Sequence, residues 1–163
     1  MRLALHRRSI LIAFGLAALA GPAAAEPLTG AQLQAEVSGN TLTGYNTSGV
    51  VFSEYHAPDG RILGHNNSEV VIDGCWQVRN DAICYYYARG TRPGVFCWRF
   101  ERAGPSGYSI ASTESAVTGV TRLEPGNPRG HSDGGVSWAC EGLTSELDRP
   151  LMPLAGGAAR PHG

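Results

Sequence analysis

The clearest match to a catalytic motif is Gly-x-Ser-x-Gly around Ser132, which runs from Gly130 to Gly134 as GHSDG. In hydrolases that use this motif, a strand-to-helix turn lifts the serine above a parallel sheet. Here a proline- and glycine-rich stretch precedes the motif, and residues 135–138 have no helical pattern. The only later histidine is His162, near the end of the chain. We therefore expect a chance match in a loop and a protein that is not an enzyme, with a hydrolase using Ser132 as the least favoured alternative.

Three histidines, His56, His65 and His131, could bind a metal together with Glu54, Asp59 or a tyrosine. None of them has the H-x-H or H-x-x-x-H spacing that preorganises a metal site. Histidines at strand ends and in loops are commonly polar surface residues. The sequence therefore predicts no metal site and no cofactor.

Tyr85, Tyr86 and Tyr87 are consecutive, so on a strand two of the three share a face. Those two would point into a barrel together with Trp76 and Trp98. Aromatic residues of this kind suit a β core and also line ligand pockets. From the sequence we favour core packing over a ligand cavity.

The four cysteines, Cys75, Cys84, Cys97 and Cys140, lie 9, 13 and 43 residues apart. Structural zinc sites usually pair cysteines about two to four residues apart, so this spacing favours two disulfides. We favour the pairs Cys84–Cys97 and Cys75–Cys140. The main competitor is Cys75–Cys84 with Cys97–Cys140.

Residues 1–25 match a secretory signal peptide: a positive start, the apolar run 9–20, and small residues before cleavage after Ala25. The pair Arg7-Arg8 leaves twin-arginine export as a minority alternative. The apolar run is too short to span roughly 30 Å of hydrocarbon comfortably. We expect a periplasmic or extracellular protein with no stable membrane anchor after cleavage.

The remaining chain predicts a single β domain over residues 26–145 and a disordered tail over 146–163, where proline, glycine and alanine dominate. The chain has no lysine, and after cleavage its acidic residues outnumber its arginines, which are scattered. Such a surface excludes nucleic acid as a partner, because phosphate binding needs a basic patch.

A short helix is predicted just after the cleavage site. Thr29 can cap it, with Gln32 completing a capping box. Leu33 and Val37 make its apolar face, and Gly39 suits the position after its C-cap.

Strand signals then alternate with turn signals, of which residues 57–60 (APDG) are the clearest. The predicted strands cover 40–45, 50–56, 61–64, 69–79 (bent at 73–74), a strand from Ala82, 95–102, 107–112 and 116–123. Residues 136–140 are predicted to be a short strand or an extended segment. This pattern predicts an all-β, antiparallel meander that forms a small barrel or sandwich, with one short N-terminal helix and two disulfides.

The central stretch, residues 73–100, sets the register. A two-residue turn at Asn80-Asp81 places Trp76 opposite Tyr85. The core side then carries Trp76, Val78, Ile83, Tyr85, Tyr87, Phe96, Trp98 and Phe100. All three cysteines of the stretch fall on the opposite side, where Cys84 faces Cys97.

The loop between the strand that begins at Ala82 and the strand over 95–102 contains Arg89, Arg92 and Pro93. A cationic, proline-containing loop held by the Cys84–Cys97 bridge is a possible binding loop for a protein partner. An ordinary hairpin loop is the favoured interpretation.

Three features together resemble small secreted alphaproteobacterial domains of unknown function. They are the Leu-Thr-Gly-x-x-Leu helix followed by Ser-Gly-Asn-Thr, Tyr55 with Pro-Asp-Gly-Arg, and Gly-x-Trp-x-Val with Cys84 and Cys97. The resemblance covers residues 28–112 and implies a barrel of the lipocalin or avidin type. It implies no established activity, and Cys75 and Cys140 are additional to the pattern.

The function expected from the sequence is non-enzymatic binding of an unknown small ligand or protein partner by a secreted or periplasmic β-barrel. The alternative from another class is a structural or envelope-stress protein with no ligand. A filled barrel would favour the second, and a barrel with a cavity the first.

Overall fold

The structure is a computed structural model that describes residues 26–87, 94–136, 138 and 140. It contains one helix and eight strands: α1 (Gly30–Val37), β1 (Thr41–Asn46), β2 (Val51–His56), β3 (Arg61–Asn66), β4 (Glu69–Arg79), β5 (Ala82–Tyr87), β6 (Gly94–Arg102), β7 (Gly107–Ser112) and β8 (Thr118–Glu124). The predicted signal peptide over 1–25, the tail over 146–163 and the loop with Arg89, Arg92 and Pro93 lie outside the described residues.

The strands form a closed antiparallel barrel. Each strand pairs with the next one along the chain, and β8 pairs with β1 to close the sheet. The predicted all-β meander is confirmed, and it forms a barrel rather than a sandwich. Because β8 pairs with β1, the two strands that would be the edges of an open sheet bond to each other.

The boundaries of β3 differ from those expected. The sequence predicted a break from residue 65, but His65 and Asn66 continue the strand and pair with β2. The turn is made at Asn67, whose φ is +57°. Asparagine tolerates this left-handed conformation better than most residues, so a tighter turn suffices.

Helix α1 closes one end of the barrel. Its capping box between Thr29 and Gln32 is present as predicted, and Leu33 and Val37 are buried. The backbone N–H of Gly30 donates a 2.6 Å hydrogen bond to Oδ1 of Asp81, in the turn between β4 and β5. The helix is thereby fixed over the end where that turn lies.

The predicted register of the central strands is confirmed. Asn80 and Asp81 adopt φ values of +46° and +57°, and Trp76 lies opposite Tyr85. The predicted bend of β4 is also present. Between Val71 and Gly74 this strand has two residues where β3 has one, so it bulges at that point.

Both favoured disulfides are present. Cys84 bonds to Cys97, its direct neighbour across β5 and β6, and Cys75 bonds to Cys140. Two disulfides indicate an oxidising compartment outside the cytoplasm.

The C-terminal described segment packs on the outside of the barrel. The indole Nε1 of Trp138 donates to the carbonyl oxygen of Gly74 at 3.0 Å, and the guanidinium of Arg61 lies 5.7 Å from the centroid of its ring. The described residues of this stretch, 136, 138 and 140, are not in a strand, and Trp138 and Cys140 are held by these contacts and by the disulfide.

None of the helices among the described residues is long and apolar enough to cross a membrane.

The interior of the barrel is divided into two halves. Near α1 it is filled by tightly packed side chains, of which Ile62, Trp76 and Ile83 are almost completely buried. Toward the opposite end, where the β1–β2, β3–β4 and β7–β8 turns lie, it encloses a cavity.

Candidate functional site

The cavity has a volume of about 500 Å³ and opens at the end of the barrel opposite α1. Most of its wall is apolar or aromatic, and a few polar groups are placed among these. Its lining consists of Leu42, Asn46, Ser48, Val50, Phe52, Glu54, Asn66, Asn67, Glu69, Val70, Val71, Tyr85, Tyr87, Phe96, Trp98, Phe100, Ile110, Ser112, Ser115 and Val117. An eight-stranded barrel is just wide enough to hold one small ligand in this way.

Glu54 is the buried ionisable group of this cavity. It is 3% exposed, and its Oε1 accepts a 2.8 Å hydrogen bond from the hydroxyl of Tyr87. Burial raises the pKa of Glu54 to about 7, and the hydrogen bond from Tyr87 opposes that rise. The carboxyl group therefore changes charge near neutral pH.

Beside Glu54, strand β3 approaches β2 too closely to carry a side chain. Glu54 lies opposite Gly64 in the β2–β3 register. Gly64 has a φ of +149°, and a Cβ there would come within 2.1 Å of the carbonyl oxygen of Ser53, so no side chain fits. The carboxyl group consequently has no side-chain neighbour at that position of β3.

His56 lies between the cavity and the α1 end of the barrel and is fully buried. Its Nδ1 is 3.1 Å from the carbonyl oxygen of Glu54, and its Nε2 is 2.9 Å from the hydroxyl of Tyr85. A carbonyl oxygen can only accept, so Nδ1 carries the proton and Nε2 accepts from Tyr85. Burial lowers the pKa of His56 to about 3, so the imidazole is neutral at physiological pH.

Aromatic rings line the cavity beside Tyr87, the hydrogen-bond partner of Glu54. The rings of Tyr85 and Tyr87 stack with centroids 6.2 Å apart, and Phe96 lies 6.1 Å from Tyr87. Tyr85 belongs to the buried core and Tyr87 packs against it, as the sequence predicted, and both also line the cavity. The alternation of side chains along β5 correctly predicts that Tyr85 and Tyr87 point into the barrel. Whether side chains from facing strands fill the interior depends on the width of the barrel and on the size of residues on other strands.

The other two candidate histidines do not join His56. His65 and His131 lie together on the outside of the barrel, with ring centroids 5.5 Å apart, and Nε2 of His131 is 2.8 Å from the hydroxyl of Ser53. Asp59 pairs with Arg61. Within the described part of the chain, no three histidine, cysteine, aspartate or glutamate residues are grouped so that they could hold a metal ion.

Ser132 is exposed, and its hydroxyl accepts a 3.4 Å hydrogen bond from the backbone N–H of Gly134. No helix follows it within the described residues up to 136, so the geometry of a nucleophile elbow is absent there. The neighbouring His131 bonds to Ser53 instead.

The predicted binding loop lies outside the described residues, and Tyr87 and Gly94 are the described residues on either side of it. Tyr87 and Gly94 pair with each other at the open end of the barrel, and Tyr87 lines the cavity.

Sequence reasoning considered Glu54 only as a metal ligand and missed its place in the cavity. The signal was present in β2, where alternation puts Phe52, Glu54 and His56 on one face. Two ionisable residues on the face that also carries an inward phenylalanine indicate a polar group inside the barrel.

Comparisons with protein-family models, with curated proteins and with solved structures found no match for this chain.

Proposed function

We propose that this protein is a non-enzymatic binding protein that holds one small ligand inside its barrel. The observation that carries the proposal is the cavity of about 500 Å³, open at one end, with aromatic walls and the Glu54–Tyr87 pair buried among them. The ligand has an apolar body that contacts the aromatic wall and a polar group that reaches Glu54.

The size and chemistry of the cavity support this function. Ligand pockets usually measure about 300–1,000 Å³ and combine apolar walls with a few well-placed polar groups. A structural barrel with no ligand, the alternative from another class, has no need of an open half. An unfilled cavity loses packing contacts and therefore costs stability.

The hydroxyl groups of the lining favour binding over catalysis. Ser48 donates to Oδ1 of Asn46 at 2.6 Å, Ser112 accepts from the N–H of Glu114, and Ser115 accepts from the N–H of Val117. A serine nucleophile needs a neighbouring base. In the described lining these three serines bond to neighbouring groups of their own turns, whereas the carboxyl group of Glu54 bonds to Tyr87.

The two disulfides and the predicted signal peptide together support a location in the periplasm or outside the cell. The resemblance to small secreted alphaproteobacterial domains stays a prediction.

A cavity-filling variant tests the proposal. Ser112 points inward at the mouth end of β7, whereas its neighbour Ala111 is exposed, so Ser112→Trp places an indole ring in the mouth of the cavity and Ala111→Trp is its matched control. The probe is Nile red, a neutral apolar dye whose fluorescence rises in apolar surroundings. We expect the unchanged protein and Ala111→Trp to bind one dye molecule per chain, and Ser112→Trp to bind none. Equal binding by all three proteins, or by none, would overturn the proposal.

A further inference from the structure

The geometry points to a small organic cation as the ligand: an ammonium group, free or alkylated, on an apolar body, with Glu54 binding the charge. This inference rests on the proposed function, because it names the chemical class of ligand for the same cavity.

The lining of the cavity favours a cation. Its buried carboxylate is Glu54, and none of the lining residues within the described ranges is an arginine, a lysine or a histidine. Burying a carboxylate without a cationic partner is costly. A cationic ligand supplies the missing charge, whereas an anionic ligand adds a like charge in a site of low dielectric constant.

Glu54 has unused hydrogen-bonding capacity. A carboxylate has about four acceptor positions, and the hydroxyl of Tyr87 fills one of them. The nearest imidazole cannot help, because His56 uses Nδ1 for the backbone carbonyl of Glu54 and Nε2 for Tyr85. An ammonium N–H group can donate to the remaining carboxylate positions and forms a strong, charge-assisted hydrogen bond there.

Aromatic rings line the cavity beside this carboxylate. Tyr87 donates to Glu54 with its hydroxyl, and its ring is followed by those of Tyr85 and Phe96 within 6.2 Å, with Phe52 and Trp98 also lining the cavity. The faces of aromatic rings attract cations, most strongly where water is excluded. A carboxylate and several aromatic rings in one cavity therefore favour a charged amine over a neutral alcohol of the same shape.

The pH dependence of binding follows from the ionisation of Glu54. Because its pKa is raised to about 7, binding a cation at lower pH requires loss of its proton, and affinity should fall about a hundredfold between pH 8 and pH 5. The other titratable groups on the surrounding strands are His56 on β2, Glu69 on β4, and Tyr85 and Tyr87 on β5. His56 is neutral across this range, and burial raises the pKa values of both tyrosines well above their ordinary range. The variant Glu54→Gln shows whether the pH dependence of binding comes from Glu54 or from Glu69.

The test compares three probes of similar size and different charge: octylammonium, 1-octanol and octanoate. Their affinities are measured by calorimetry at pH 8 and pH 5 for the unchanged protein, for Glu54→Gln, and for Glu101→Gln. Glu101 is an exposed carboxylate on β6, so its variant removes one charge from outside the cavity. The cavity-filled Ser112→Trp serves as the control for binding elsewhere.

We expect octylammonium to bind the unchanged protein at least about tenfold more tightly than 1-octanol at pH 8, since close charge pairs in binding sites contribute this much or more. Glu54→Gln should abolish that preference and its pH dependence while it still binds 1-octanol, and Glu101→Gln should retain both. Equal affinity for the amine and the alcohol, or a preference that survives Glu54→Gln, would overturn the cationic ligand. If 1-octanol still bound the unchanged protein and not Ser112→Trp, the proposed function would stand. Failure of every probe to bind would count against both.

Discussion

The hydroxyl of Tyr87 donates a 2.8 Å hydrogen bond to Oε1 of Glu54, inside a barrel where this carboxyl group is 3% exposed. The bond stabilises the ionised carboxylate in surroundings that otherwise favour its neutral form. The two residues come from β2 and β5, which are not adjacent strands, so the hydrogen bond crosses the interior of the barrel.

Replacing Tyr87 by phenylalanine should raise the pKa of Glu54 further above about 7, because the hydrogen bond that lowers it is lost while burial remains. The measurement is an NMR titration of the Glu54 carboxyl carbon. Tyr55→Phe, on the outward face of β2, is the control and should leave the titration unchanged. An unaltered or lower pKa in Tyr87→Phe would contradict this role of the hydroxyl.

Glu54 and His56 should have opposite effects on the pH dependence of stability. The pKa of Glu54 is raised from 4.5 to about 7 on folding, so its contribution to the free energy of unfolding falls as pH rises through that window. The pKa of His56 is lowered from 6.5 to about 3, so its contribution falls as pH drops through that range. Between about pH 4.5 and 6.5 the two effects largely cancel.

Single variants should separate these two contributions. Relative to the unchanged protein, Glu54→Gln should make the free energy of unfolding rise with pH in this window, by up to about 1.4 kcal/mol per pH unit. His56→Gln should make it fall by a similar amount. Urea unfolding at a series of pH values gives both slopes, and parallel curves for the three proteins would show that neither group has the shifted pKa.

The hydrogen bond between Tyr85 and His56 should matter for stability. Tyr85→Phe leaves the buried Nε2 of His56 without its donor, and such a loss costs about 1–3 kcal/mol. Tyr86→Phe removes the same atom from the outward-facing neighbour and should change the free energy of unfolding by less than about 0.5 kcal/mol. Urea unfolding of the two variants measures both changes in the free energy of unfolding. Equal changes would mean that the buried hydroxyl of Tyr85 stabilises the fold no more than the outward-facing hydroxyl of Tyr86.

The two disulfides should contribute unequally. Cys84–Cys97 closes a sequence separation of 13 residues and Cys75–Cys140 one of 65. In the chain-entropy model the first contributes about 3 kcal/mol and the second about 4 kcal/mol. We therefore expect the double alanine variant of the long-range pair to unfold at the lower denaturant concentration. A larger loss from the short-range pair would show that constraint of the unfolded chain is not the main effect.

The sequence predicts those features that depend on local chemistry and alternation. The helix cap at Thr29, the turn at Asn80-Asp81 and the pairing of Cys84 with Cys97 each follow from a few neighbouring residues. The cavity depends instead on distances between strands that are far apart in the chain. Glu54 and Tyr87 are separated by 33 residues, and no local pattern indicates that they meet.

Native mass spectrometry of the protein purified from its own cells tests the central claim most directly. The unchanged protein and Ala111→Trp should each carry one small molecule per chain, and Ser112→Trp should carry none. All three masses should match two disulfides, without the four additional hydrogens of the reduced chain. A ligand-free protein, or a ligand that stays bound to Ser112→Trp, would contradict binding inside the barrel.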